Sequence, residues 1–339
     1  MSHMTNPLAT PNQLFQRRSF DALPIELQDA IFFATQCLTQ AAGILLQLPQ
    51  SVTAQANVLL ARYWLVEPMM SHEFSDVSAA TLYLTAKVSA HPRSPRDVAN
   101  VYAYLLSSSS SFFQPPTAPP PGNEPASYYL SESAYHTFHS RMLALEARVL
   151  YALGFDTHVA LPHPLAVTYL QALDFLGVAP RERIGRRAVA YLNAALLSPQ
   201  MVYLTSQPNA LAVAAVYNAA RDVGAKMPEC DWWEVFDVDR EDLGFLVVAM
   251  RSLDPWGRKM RADLTGIVMR DGSSGGPERK RGPMVTRRDV EEELKKRGID
   301  VVVVGERTPG ATEAGGGDAE EEAARRLDEK MADLEAKGA

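Results

Sequence analysis

The stretch Val77-Ser78-Ala79-Ala80-Thr81-Leu82-Tyr83-Leu84-Thr85-Ala86-Lys87 decides the architecture. Its apolar residues recur at helical spacing, and Ser75 just ahead of it is a good N-cap. Small residues at this density let a helix approach its neighbours closely, as the central helix of a bundle must. The pattern returns further along. Ala80, Tyr83, Ala86 and Lys87 line up with Ala214, Tyr217, Ala220 and Arg221, and 214 − 80 and 221 − 87 are both 134. A proline follows each set, Pro92 and Pro228. A duplicated helical unit accounts for this echo; a chance match between short alanine-rich helices is the competing explanation.

Outward from that helix, residues 24–253 read as a series of helices, with almost nothing alternating like a strand. Pro24 suits the first turn of a helix that runs through Ile25, Leu27, Ile31, Cys37 and Leu45 and stops before Pro49. A second helix covers 52–66. Ser94-Pro95-Arg96-Asp97 is a helix start, with Ser94 as cap, Pro95 at the first position and Asp97 in the first turn. Prolines 115, 116, 119, 120 and 121 make a surface loop. From Ser131 a long helix carries Met142, Leu145, Glu146, Val149 and Leu153, with Gly154 as its C-terminal cap. Pro162 opens a helix (165–176) closed by Gly177, and others lie at 182–197, 208–223 and 240–253. The expected class is all-α: two tandem helical bundles and a flexible, partly helical C-terminal extension. The expected partition is 1–23 (an arm beginning with an expression scar, Met1-Ser2-His3-Met4), 24–157, 158–257 and 258–339.

Composition narrows the function. The 339 residues are 47% hydrophobic, enough for a real apolar core, and the formal net charge is −7. That sign argues against direct binding of free nucleic acid, which needs a basic face. The two cysteines, Cys37 and Cys230, have no metal-ligand or disulfide spacing; they read as small core residues in a reducing compartment. No apolar run reaches ~18 residues, so no membrane span is expected.

Several stretches together resemble the cyclin family, in its transcription and splicing branch. Gln40-Ala41-Ala42-Gly43-Ile44-Leu45-Leu46-Gln47-Leu48-Pro49-Gln50 resembles that branch's first-helix segment. Ala86-Lys87 with Pro92-Arg93 and Arg96-Asp97-Val98-Ala99-Asn100-Val101 is similar to the third helix of a cyclin box and the turn after it. Leu145-Glu146-Ala147-Arg148-Val149-Leu150-Tyr151-Ala152-Leu153-Gly154-Phe155 is similar to the fifth helix. Pro162-His163 and Tyr169-Leu170-Gln171-Ala172-Leu173 are similar to the start of a second box. The resemblance covers residues 24–253. It implies two cyclin boxes, 24–157 and 158–257, in a non-catalytic, cofactor-free regulatory subunit. Its partner would be a cyclin-dependent kinase, of the PITSLRE type, in the nucleus.

By the same resemblance Lys87 and Glu146 match the two charged residues with which cyclins grip their kinase. A kinase needs its own helix-borne Glu swung in to meet a strand Lys, and a partner that binds only the inward state traps it there. On the residues alone, Lys87 reads as a solvated helix-end lysine and Glu146 as an ordinary helix charge. The pattern departs from the family where Ser89-Ala90-His91 replaces the usual acidic residues after the lysine. No basic residue in 27–38 recreates the substrate-docking patch of cell-cycle cyclins, and the arginine–serine-rich region of animal relatives is missing. The alternative of another class is a cyclin-fold adaptor in a transcription or splicing assembly.

Other signals carry less. His136 and His139 share a helix face but lack further ligands, so no metal is expected. His163 reads as a turn or cap residue, and Trp232-Trp233 as a packing anchor. No motif supports catalysis. Arg279-Lys280-Arg281 reads equally as a nuclear address or a solvated linker. Thr286-Arg287-Arg288-Asp289 resembles a capping box for a helix ending at Gly298, followed by a short strand 299–304 and a charged helix 319–337 for contacts in a larger assembly.

Overall fold

The structure, a computed structural model, describes residues 4–19, 23–107, 110, 112, 129–176, 182–269 and 284–299. The chain divides into two units, Met1–Val302 and Val303–Ala339, and the second lies wholly outside the described residues. Among the described residues every regular element is helical. One group of helices comprises α2 (Ile25–Leu45), α3 (Gln50–Val66), α4 (Phe74–Val88), α5 (Pro95–Leu105) and α6 (Glu132–Ala152). In it α4 packs against all four others. The other group comprises α7 (Pro162–Ala172), α8 (Glu182–Ala195), α9 (Val202–Thr205), α10 (Pro208–Val223) and α11 (Arg240–Met269), and there α10 packs against all four others. The two echoed helices are thus the two central ones. Two further helices flank the groups: α1 (Pro11–Ser19) lies on α3, and α12 (Arg287–Lys296) lies on α11.

A central helix must satisfy its polar side chains without water. In α4, Thr81 and Thr85 donate back to the carbonyls of Val77 and Thr81, both at 2.8 Å. Ser78 Oγ lies 2.7 Å from Thr39 Oγ1 and 2.6 Å from Tyr102 OH, a buried hydroxyl chain joining α2, α4 and α5. Between α2 and α3, the Gln36 and Asn57 amides each donate to the other's main-chain carbonyl, at 3.0 and 3.1 Å. The same helices meet closely at Gly43, where a Cβ would lie 2.3 Å from Thr53 Oγ1.

Polar clasps join the two groups. Asn193 of α8 receives Gln40 on its carbonyl (3.2 Å) and Gln50 on its side-chain oxygen (3.0 Å), and the same oxygen lies 2.9 Å from His163 Nε2. From the N-terminal arm, Asn6 pairs both amide atoms with the Ala160 main chain at 2.8 Å and exchanges two 3.1 Å bonds with Gln207.

Most helix boundaries fall where the sequence places them. Ser94 and Ser131 cap α5 and α6, Pro162 and Pro208 open α7 and α10, and Thr286–Asp289 is a full capping box with Gly298 at φ 68° after it. Five readings need correction. The helix α7 ends at Ala172, with Asp174 at φ 55°, rather than running to 176. Ser75 is not a cap: α4 starts one residue earlier, and Ser75 is buried in its first turn. Cys37 is half-buried, with its thiol pushed up to about 12 by burial, but Cys230 is exposed and is no core residue. The arm contains a helix, α1, that its polar sequence hides. Finally, α11 runs through Pro255 to Met269 rather than stopping near 253. Proline normally costs a helix ~3 kcal/mol; here Trp256 packs edge-on to Phe33 at 5.2 Å, and Met260 and Leu264 are buried beyond it. The proline-rich loop, Gly177, Arg279-Lys280-Arg281, residues 300–304 of the expected strand and the 319–337 helix lie outside the described residues. Among the described residues no helix is long and apolar enough to cross a membrane.

Gly43→Ala should drive a methyl group into Thr53 and destabilise the protein by about 1–3 kcal/mol. Urea denaturation followed by circular dichroism measures the loss.

Candidate functional site: a lysine–glutamate pair at the end of the central helix

Because α4 is buried along nearly its whole length, only its C-terminal end reaches solvent. Lys87 lies at that end, and Nζ meets Glu146 Oε1 of α6 at 2.9 Å. The Lys87 side chain is 56% exposed and that of Glu146 only 8%. The carboxylate is thus the fixed member and the lysine the outward one. Glu146 hydrogen-bonds the ammonium and holds its pKa above the ordinary lysine value, and Glu146's charge adds to this. Lys87 also lies 5.7 Å from the Tyr83 ring centroid, a cation–π contact one helical turn back.

An ammonium has three donors, and one is committed to Glu146. Oε2 of Glu146 has no hydrogen bond among the described residues. The pair therefore offers two donors and an acceptor side by side, the set needed to bind main-chain carbonyls and N–H groups of another chain. Apolar surface adjoins it. Val88, next in sequence, is exposed, and so is Leu143, one turn before Glu146 on α6. At the end of α6, Tyr151 and Phe155 are both exposed and pack edge to face at 5.4 Å, with Phe155 held at φ 61°. Sequence reasoning found the charged pair but not these four residues. An apolar residue on the solvent side of an amphipathic helix looks like core until packing shows otherwise.

The turn after Lys87 is fixed from within. Ser89 Oγ donates to the Ala86 carbonyl at 2.8 Å and accepts from His91 N at 3.0 Å. Arg93 donates to the carbonyls of Leu46 and Gln47 at 2.7 and 2.9 Å, closing the C-terminal end of α2. No acidic residue stands in this turn.

A second ion pair joins the same two helices. Arg141 Nε is 3.0 Å from Asp76 Oδ2. Burial pushes the Asp76 carboxyl above its ordinary range, and Arg141 pulls it partly back. The C-terminal helix α12 packs elsewhere. Arg287 donates to the Ser71 carbonyl at 3.3 Å, beside the N-terminal end of α4. Thirteen residues of helix separate Phe74 from Lys87, about 20 Å at 1.5 Å per residue. Among the described residues, nothing from the C-terminal extension covers the Lys87–Glu146 pair.

The other candidates stay in structural roles. His136 pairs with Glu132 at 3.1 Å and His139 stacks on Tyr135 at 5.5 Å. No metal-binding cluster exists among the described residues. His163 lies in the first turn of α7 and joins the clasp at Asn193; burial holds its pKa below the ordinary value. Trp232 is buried, as a packing anchor is.

Two helical groups, each built round a buried helix, make up the fold, and the chain belongs to the cyclin family. Within that family it is similar to cyclin L. It is 30% identical to Homo sapiens cyclin-L2 over 231 residues, 68% of this chain and 41% of the relative. With Homo sapiens cyclin-L1 the identity is 31% over 207 residues, 61% of this chain and 36% of the relative. The chain thus spans about two fifths of the length of the curated relatives it matches. No family model matches. The fold is similar to a chain of the yeast RNA Pol II CTD kinase CTDK-1 complex, with TM-score 0.57 and 12% identity, covering 88% of this chain and 85% of that one. It is also similar to a chain of the Chaetomium thermophilum CAK complex bound to ATP-gamma-S, with TM-score 0.50 and 16% identity, covering 76% of each. Cyclins as a family are non-catalytic kinase regulators.

Raised above its ordinary value, the folded-state pKa of Asp76 makes protonation favour the fold. Its contribution therefore declines as pH rises from the ordinary carboxylate value through the raised one. Arg141→Ala should widen that window. The variant should lose about 1–3 kcal/mol at pH 7, where a buried carboxylate is left unpaired, and much less at pH 4. Urea titrations at the two pH values test this.

Proposed function

We propose that this chain binds and activates a cyclin-dependent protein kinase of the transcription and pre-mRNA splicing type, acting in the nucleus through two cyclin boxes, 24–157 and 158–257. The observation that carries the reading is the outward Lys87 held by a buried Glu146 and bordered by exposed Val88 and Leu143. An apolar rim supplies area, and the charged centre fixes register on the partner's backbone. Such a surface suits the loop and helix end that an inactive kinase holds out of place. Binding the inward state about 5.5 kcal/mol more tightly would nearly complete the switch. The resemblance to cyclin L implies a PITSLRE-type partner, and the kinase complexes among the structural neighbours support a kinase in general.

Ser89-Ala90-His91 favours a second reading, a cyclin-fold adaptor that joins an assembly without switching a kinase on. An activation assay with the co-purified kinase separates the two. Lys87→Glu and Glu146→Lys should each lower kinase affinity on the order of 100-fold, from the 2–5 kcal/mol lost when a buried charge pair is broken. Phosphorylation of substrate should fall with it. Activation unchanged in both variants, with the fold intact, would leave only the adaptor.

A further inference from the structure

The second helical group repeats the cation of the first without its carboxylate. Arg221 stands at the end of α10 as Lys87 stands at the end of α4, and each lies over the tyrosine one turn back, at 5.8 and 5.7 Å from the ring centroid. In the first group α6 answers with Glu146. In the second, α11 packs on α10 as α6 packs on α4. Beside the end of α10, α11 presents Arg251, which pairs with Asp222, and among the described residues no carboxylate of α11 pairs with Arg221. Arg221 is exposed; its one hydrogen bond among the described residues goes to Tyr217 OH at 3.2 Å, and no ion pair reaches it. The hydrogen bond to Tyr217 also raises its pKa. Neighbouring charges are spent elsewhere: Asp222 holds Arg187 at 2.9 Å and Arg251 at 3.3 Å, and Lys226 holds Glu229 at 2.6 Å.

A ladder of rings continues from this cation. Tyr217 stacks on Trp232 at 6.1 Å and 16°, and Trp232 meets Trp233 edge-on at 5.9 Å. Trp233 is half-buried, and Val235, in the turn it opens, is 77% exposed. Arg, Tyr and Trp beside exposed apolar surface are the composition of protein-interface anchors.

We propose that Arg221, Tyr217, Trp233 and Val235 form a second docking surface, which takes an acidic segment of a partner protein through a side-chain carboxylate on Arg221 and an apolar residue on Trp233 and Val235. Charge complementarity selects this occupant, because the first half of the same chain shows what the tyrosine-backed cation takes: a carboxylate. Unlike Lys87, Arg221 presents a planar fork that can hold both oxygens.

The test needs no kinase, so its outcome is independent of the activation reading. Two fluorescein-labelled 14-residue peptides, identical in Leu and Tyr content, carry four Glu or four Gln and are titrated onto the full chain by anisotropy. The Glu peptide should bind at least ten-fold more tightly, although the protein's net charge of −7 opposes it. Arg221→Ala should erase that preference with the circular dichroism spectrum unchanged, and Arg221→Lys should keep part of it. Trp233→Ala should weaken both peptides alike. Equal binding of the two peptides, no saturation by millimolar peptide, or a preference that survives Arg221→Ala would overturn the proposal. So would binding of a phosphoserine peptide where the Glu peptide fails, since the surface would then read phosphate.

Discussion

A helix buried on every side can present only its ends, and the structure depends on that constraint. α4 and α10 lie at the centres of their groups, and both keep small residues where neighbouring helices cross them. Their side faces are spent on packing, so their exposed charges stand in the last turn. There the unpaired carbonyls of the helix favour a cation. Lys87 and Arg221 occupy these places, each steadied by an aromatic ring one turn back.

The same constraint separates positioning from contact. Glu146 is fixed in a packed environment and orients an exposed lysine. A surface ion pair is worth little to stability, and this one leaves two donors of Lys87 and one oxygen of Glu146 without a hydrogen bond among the described residues. The second group keeps the cation, Arg221, and among the described residues no carboxylate pairs with it.

Polar clasps hold the two groups in register. Asn193 gathers Gln40, Gln50 and His163, while Asn6 reaches from the arm to Ala160 and Gln207. These contacts span from 143 to 201 residues of chain, apart from the 30 between His163 and Asn193. Their members are ordinary Asn and Gln residues with no local pattern to mark them, so they were invisible in the sequence.

What the sequence by itself determined is what local physics writes into neighbouring residues. The helical period, the caps at Ser94, Ser131 and Thr286, and the proline starts at Pro162 and Pro208 are of this kind, as is the repeat that names the two central helices. Lys87 and Glu146 were legible too, but only through resemblance, since a lone lysine and a lone glutamate look like solvated charges. Tertiary structure alone decided that α11 continues past Pro255, because Phe33 and Trp256 meet only after folding. It alone showed Cys230 exposed and Ser75 buried. It alone brought Lys87 within 2.9 Å of a carboxylate 59 residues away and, among the described residues, left Arg221 with none. Spacing along a chain fixes which residues share a helix face, while partnership across helices depends on how those faces cross.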